Sequence, residues 1–140
     1  MGEAETGTTD DNVAVRLGFK EGELVKEFGY DEDVDFDLRA DIEDLSGSDL
    51  IEEEEHEVVD AIVLWHRADD DDLVDVLMDS LTSLEEGGVI WVLSPKSGRD
   101  GYLPPGDIQE AAPTAGLHVT STVGVSEDWA ATRLVPRRNK

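Results

Sequence analysis

The sequence predicts an α/β sandwich built on a mostly parallel sheet and finished by an antiparallel strand pair. Three observations carry this. Residues 58–65 and 89–93 are short, nearly continuous apolar runs rich in β-branched side chains, the pattern of strands buried on both faces. The apolar residues before and between them recur at helical spacing. Beyond them, residues 119–125 and 129–135 flank the turn Ser126-Glu127-Asp128. Strands alternating with helices favour parallel pairing, with the helices covering the sheet faces.

The elements follow in order. Residues 1–12 are mostly Gly, Thr, Asp and Glu, and read as a disordered acidic tail. Order begins at Val13, and residues 24–28 form a short strand between Gly22 and Gly29. Over 31–45, Val34, Leu38, Ile42 and Leu45 make one helical stripe. Asp31, Glu32 and Asp33 stand at its start, where carboxylates meet free N–H groups, and Ser46-Gly47-Ser48 ends it. After the strand at 58–65, a helix starts in 69–72 and turns Leu73, Val74, Leu77, Met78, Leu81 and Leu84 to one side. Gly87-Gly88 closes it before the strand at 89–93. A loop over 95–105 leads to a short helix at 107–115, ended by Gly116, whose last turn Pro113 makes irregular. The strand pair completes a single domain over 13–136, and 137–140 is a basic tail.

Charge is distributed unevenly. Residues 1–86 hold 30 of the 35 acidic and 5 of the 11 basic residues, a net of −25, whereas 87–140 carry a net of +1. Such a chain does not bind nucleic acid through phosphate contacts, which need Lys and Arg. It is steered instead toward a basic protein partner. Solvated helix faces and adaptation to high salt are the alternative readings. At 140 residues the chain is long enough to bury a core, and it has no cysteine for disulfides or thiolate metal sites. No apolar run approaches the roughly 18 residues of a membrane span and no signal-peptide pattern opens the chain, so a soluble cytoplasmic protein is expected.

Few residues combine into chemistry. The runs 52–55 and 69–72 and the alternating Asp31, Asp33, Asp35 and Asp37 are acidic, yet no register supplies the glycine and distal glutamate of a calcium loop. They read as capping and solvation, with no metal. His56, His66 and His118 stand apart, with His66 at the end of a buried strand. No Gly-x-Ser-x-Gly is present, so no catalytic residue is assigned. The best local signal is the loop 94–101, between a buried strand and a helix, at the edge where open α/β sheets bind ligands. Ser94, Lys96, Ser97, Gly98, Arg99 and Gly101 together suit an anionic small molecule, with Trp129 and Arg133 as possible neighbours. The alternative is a surface turn whose cations pair with nearby acids.

Leu64-Trp65, then residues 84–93 (LEEGGVIWVL), a helix and a terminal strand pair resemble the second half of a class I methyltransferase. In that family a glycine-rich loop for S-adenosylmethionine would stand at Glu27-Phe28-Gly29-Tyr30-Asp31, where only Gly29 is glycine. The chain also looks short by about one strand–helix unit. Nearly the whole chain is similar to an actinobacterial family catalogued as domain of unknown function 3052. Leu17-Gly18-Phe19-Lys20, Glu27-Phe28-Gly29-Tyr30-Asp31, Pro95-Lys96-Ser97-Gly98-Arg99 and Asp128-Trp129 with Thr132-Arg133-Leu134-Val135 carry that likeness. It implies a small cytosolic protein, and an acidic first half that is a family trait rather than salt adaptation.

The expectation is therefore a compact Rossmann-like α/β domain acting as a non-enzymatic binding or regulatory protein, without cofactor. The alternative is a minimal transferase that keeps an S-adenosylmethionine or nucleotide site between Phe28, Gly29, Tyr30 and Asp31 on one side and residues 94–101 on the other.

Overall fold

A computed structural model describes residues 13–136 of the chain, His56 and Asp71 excepted. The expected tails at 1–12 and 137–140 lie outside the described residues. In chain order the elements are α1 (Val13–Leu17), β1 (Val25–Phe28), α2 (Phe36–Ser46), β2 (Val59–Trp65), α3 (Leu73–Leu81), β3 (Leu84–Pro95), α4 (Pro105–Thr114), β4 (Leu117–Gly124) and β5 (Trp129–Pro136).

The five strands form one sheet in the order β1-β2-β3-β5-β4. β1, β2 and β3 pair in parallel, and only β5 runs against the rest, antiparallel to both β3 and β4. Alternate side chains point to opposite faces. Phe28, Ile62, Leu64, Ile90 and Val92 lie under Leu73 and Leu77 of α3 and Ile108 and Ala112 of α4. Val25, Ala61, Val63, Trp65 and Trp91 lie under Ala14 and Leu17 of α1 and Leu38 and Ile42 of α2. Burial on both faces is why β2 and β3 lack polar alternation. Among the described residues, no helix is long and apolar enough to cross a membrane.

The path from β1 to β2 fixes where a ligand can sit. After α2 the chain makes a parallel bridge from Ile51 to Lys26 on the side of β1 away from β2. The Ile51 N–H donates to Val25 O and the Glu27 N–H to Ile51 O, both at 2.9 Å. The chain then returns across β1 to β2, and its next helix covers the other face. The winding therefore reverses between β1 and β2, which makes their carboxyl ends the switch point of the sheet.

Several element boundaries differ from the sequence expectation. α2 starts at Phe36 rather than 31, because Asp35 is the cap: its carboxylate accepts the Leu38 N–H at 3.1 Å. Val34 is buried from the preceding turn, outside the helix. α3 ends at Leu81, before the Gly-Gly pair, because Leu84 already pairs with Val59. Glu85 to Gly88 then form an irregularity in β3 before Val89 pairs with Ala61. Gly88 fits there because a Cβ would stand 2.7 Å from Asp60 O and 2.5 Å from the Leu84 side chain. Met78, expected on the apolar side of α3, is 53% exposed. α4 opens at Pro105, whose fixed φ suits the first helical position. Pro113 does lie in its last turn, which closes through hydrogen bonds from the Ala115 N–H to Ala111 O and Ala112 O at 3.1 Å.

Leu77 is fully buried where α3 meets the sheet. Leu77→Ala is expected to cost about 2–5 kcal/mol of unfolding free energy. Urea denaturation checks this, with Met78→Ala as a near-neutral control.

Candidate functional site

At the carboxyl ends of β1 and β2 a crevice of about 360 Å³ opens. Phe28, Gly29, Tyr30 and Asp31 form its β1 side, and Trp65, His66 and Arg67 its β2 side. Glu53, two residues past the Ile51 bridge, reaches it and accepts the Gly29 N–H at 3.2 Å. Asp69 and Asp70 complete the wall, so four carboxylates face this space.

Gly29 is demanded by close approach. Its φ is 77°, and a Cβ there would stand 2.2 Å from Trp65 O. The left-handed backbone lets β1 exit directly over the end of β2.

Arg67 fills the floor. Its Nη1 donates to Gly29 O at 2.8 Å and to Asp70 Oδ2 at 3.2 Å, while Nη2 and Nε donate to Asp33 at 2.5 and 3.1 Å. The guanidinium carbon also lies 5.5 Å from the Trp129 ring centroid. Burial is the strongest single influence on this group and disfavours its charge. The hydrogen bonds to Asp33 and Asp70 outweigh it, so the pKa is held above the ordinary arginine value.

Beneath the crevice, Glu27 of β1 is buried and accepts three hydrogen bonds. Arg39 of α2 gives two, from Nε at 2.6 Å and Nη2 at 2.9 Å, and Trp65 Nε1 gives the third at 2.9 Å. The hydrogen bond to Glu27 is the main reason the Arg39 pKa is raised, with burial opposing it. Trp65 in turn meets Trp129 edge to face at 4.9 Å, and Trp129 Nε1 donates to Asp33 O at 3.2 Å. Arg39 also lies 4.8 Å over the ring of Tyr30, which meets Phe36 edge to face; both rings are about half exposed.

The residues singled out from sequence separate into two places. Phe28, Gly29, Tyr30 and Asp31 gather in the crevice. Ser94, Lys96 and Ser97 line a different cavity, of about 410 Å³, on the sheet face covered by α3 and α4. Of the remaining loop residues, Arg99 pairs with Asp128 in the β4–β5 turn, and a Cβ on Gly101 would stand 2.9 Å from Arg67 Cβ. Gly98, with a φ of 89°, serves the turn itself. Trp129 packs in the core on the α1/α2 side of the sheet. Arg133, opposite Trp91, donates to Thr120 Oγ1 at 3.0 Å, on the face away from Ser94. His66 is buried between the crevice and a neighbouring cavity beside α4, while His118 is exposed at the start of β4. His56 lies outside the described residues, as does Asp71 of the acidic run 69–72. Among the described residues, no three His, Asp or Glu side chains gather as a metal site.

Sequence reasoning missed Arg67, Glu27 and Glu53. Arg67 did leave a signal: it is the only Lys or Arg between Arg39 and Lys96. A lone cation in so acidic a stretch, directly after a buried strand, marks a position with several carboxylate partners. Glu27 was legible only as a charge inside a four-residue strand.

Residues 14–138 match the family described as Protein of unknown function (DUF3052). The chain belongs to this family. An uncharacterised protein of Mycobacterium tuberculosis is 48% identical over 129 residues, covering 92% of this chain and 81% of that protein. Its counterpart in Mycobacterium bovis matches to the same extent. Among solved structures, a mitomycin 7-O-methyltransferase superposes with a TM-score of 0.63 at 12% identity, over 93% of this chain but only 54% of that one. The CcbJ methyltransferase of Streptomyces caelestis gives 0.58 at 10% identity, over 92% and 95% of the two chains. A methyltransferase of Aquifex aeolicus described as dependent on S-adenosylmethionine gives 0.57 at 16%, over 89% and 87%. At these identities the likeness is one of fold, and the family member has the open Rossmann-like sheet of class I methyltransferases.

The two arginines separate by the solvation of their partners. Arg39→Met leaves the Glu27 charge buried, with Trp65 Nε1 as its remaining donor, and is expected to cost about 3–5 kcal/mol. Arg67→Met leaves Asp33 and Asp70, whose side chains are 54% and 38% exposed, and is expected to cost about 1.5–3 kcal/mol. Urea unfolding of both variants checks the order.

Proposed function

We propose that this protein is a non-enzymatic binding or regulatory protein, whose acidic half receives a basic protein surface and whose cavity at Ser94, Lys96 and Ser97 takes an anionic metabolite. One observation carries the non-enzymatic reading: the switch-point crevice, where a sheet of this kind binds its ligand, is closed at its floor by the chain's own Arg67.

S-adenosylmethionine is the cofactor that the fold implies, and the residues present do not fit it. The close backbone approach that a glycine permits at the end of β1 is taken up at Gly29 by Trp65 O. The Gly29 N–H is met by Glu53 and its carbonyl by Arg67. Four carboxylates around a plugged floor suit a cationic surface better than a nucleotide.

The docking half of the proposal draws on Tyr30 and Phe36, which stand 53% and 50% exposed at the mouth. Beside Tyr30 lies a groove bearing Glu52, Glu53 and Glu54. Beside Phe36 lies another, bearing Asp33, Asp35, Asp37 and Asp128. Aromatic faces between rows of carboxylates suit guanidinium groups, as Arg39 illustrates by stacking there from within the chain.

A second reading, a minimal nucleoside-dependent transferase, is favoured by Glu53. It stands 24 positions after Gly29 and next to a strand-like bridge, about where α/β dinucleotide sites place the acid that holds a ribose.

Two measurements decide between these readings. No rise in Tm is expected with S-adenosylmethionine, S-adenosylhomocysteine or nucleotides. A saturable rise, corresponding to roughly 2.7 kcal/mol at a hundredfold excess over Kd, establishes the second reading. The immobilised protein is expected to retain a stoichiometric partner from native cytosol at low salt and release it at about 1 M, where the Debye length is about 3 Å. The Tyr30→Ala/Phe36→Ala double variant is expected to retain it poorly. Equal retention by wild type and variant, or retention at 1 M salt, overturns the docking surface.

A further inference from the structure

The cavity that contains Ser94, Lys96 and Ser97 has features that the acidic surface and the crevice do not account for. It lies between the end of β3, the middle of β5 and the start of α4, and measures about 410 Å³, within the usual range of small-molecule sites. Two of its lining residues, Ser94 and Thr132, are only 4% and 5% exposed. Neither hydroxyl has a hydrogen-bond partner among the described residues. Neither oxygen is among the buried side-chain atoms left without a partner, so both hydroxyls open onto the cavity and are available to a partner that enters it.

The register brings the two hydroxyls together. Thr132 is opposite Val92 and Ser94 is opposite Ala130, so the two residues are diagonal neighbours on adjacent antiparallel strands and share a face. Diagonal neighbours stand about 7–8 Å apart, within reach of one small polar group placed between them. Ile108 and Leu103, both buried, give the same space apolar walls.

Charge enters through Lys96. Its Nζ lies over Gly124 of β4, 3.0 Å from where a Cβ would stand, so the glycine leaves it room. Nearby Arg99 is neutralised by Asp128, whereas Lys96 has no ion pair among the described residues. Glu127 also lines the cavity, but it is exposed.

We infer that this cavity binds a small apolar acid with a hydroxyl or carbonyl group at the end remote from its carboxylate. The apolar body lies against Leu103 and Ile108, the polar end meets Ser94 and Thr132, and the carboxylate meets Lys96. The inference rests on the anionic-metabolite half of the function proposed above and is independent of the basic-partner half.

The test is an NMR titration of the full chain with three probes: 4-hydroxybenzoate, benzoate, which lacks the remote hydroxyl, and 4-hydroxybenzamide, which lacks the charge. Saturable shifts from 4-hydroxybenzoate are expected at Ser94, Lys96, Ile108 and Thr132. Each of the other two probes is expected to bind about fivefold more weakly or worse, as is 4-hydroxybenzoate to Thr132→Val or Lys96→Met. Equal binding of the benzamide overturns the acid assignment, and with it the anionic-metabolite reading. No saturable binding by any probe overturns the cavity as a site. None of these outcomes alters retention of a basic partner at low salt, so the two halves of the proposed function fail separately.

Discussion

The carboxylate of Glu27 is the constraint on which the carboxyl edge of this sheet depends. A buried charge is tolerable only when its lone pairs are met, and here three donors from two other elements meet them. Those hydrogen bonds fix α2 against β1 through Arg39, and they fix the indole of Trp65 at the end of β2. Trp65 in turn positions Trp129 of β5, which reaches back to the turn before α2 through Asp33 O. One ionised group thus organises a ring of contacts through both helical and strand layers. The same geometry sets Gly29 over Trp65 O, and so decides the shape of the crevice above.

Arg67 completes that arrangement from the outside. It sits between two carboxylates and two backbone carbonyls at an edge where parallel strands leave their last carbonyl groups unpaired. Neutralising some of the acid at this one point allows the aromatic pair and the remaining carboxylates to crowd the rim. The nearly neutral C-terminal half uses the same edge differently. There Arg99 is matched by Asp128, and Lys96 is the cation left over. The two halves of the chain therefore differ in electrostatic character along one sheet edge, strongly acidic on one side and nearly neutral on the other, with Arg67 and Gly101 packed together at the boundary.

The strand–helix order, the direction of the strands and the two buried strands were legible because double burial leaves a continuous apolar signal at residues 58–65 and 89–93. Helix starts were harder to read. Any of five acids over 31–37 satisfies the composition rule for a cap, and only geometry selects Asp35. Gly87-Gly88 resembles a helix stop, yet it serves an irregularity in a strand, because the contact that demands it comes from Asp60, 28 positions away. The crevice residues 28–31 were visible as a departure from a glycine-rich loop. Arg67 was not, since its partners Asp33, Asp70 and Gly29 are neighbours only after the sheet forms. The loop 94–101 was read as one unit, but strand pairing divides it: Ser94 and Lys96 belong to the α4 side, and Gly101 belongs to Arg67.

The order of strands has a consequence for how the chain can be made. β5 follows the other four strands in sequence, yet it lies inside the sheet, between β3 and β4. β4, synthesised earlier, is the outer strand, and among the described strands it is hydrogen-bonded to β5 alone. During translation, the residues up to Gly124 emerge with β3 lacking its antiparallel neighbour and β4 lacking a strand partner. The sheet can close only once residues 129–136 have cleared the ribosome. Closure of this sheet thus waits on residues 129–136, and until they pair the open edge lies at the centre of the sheet rather than at its rim.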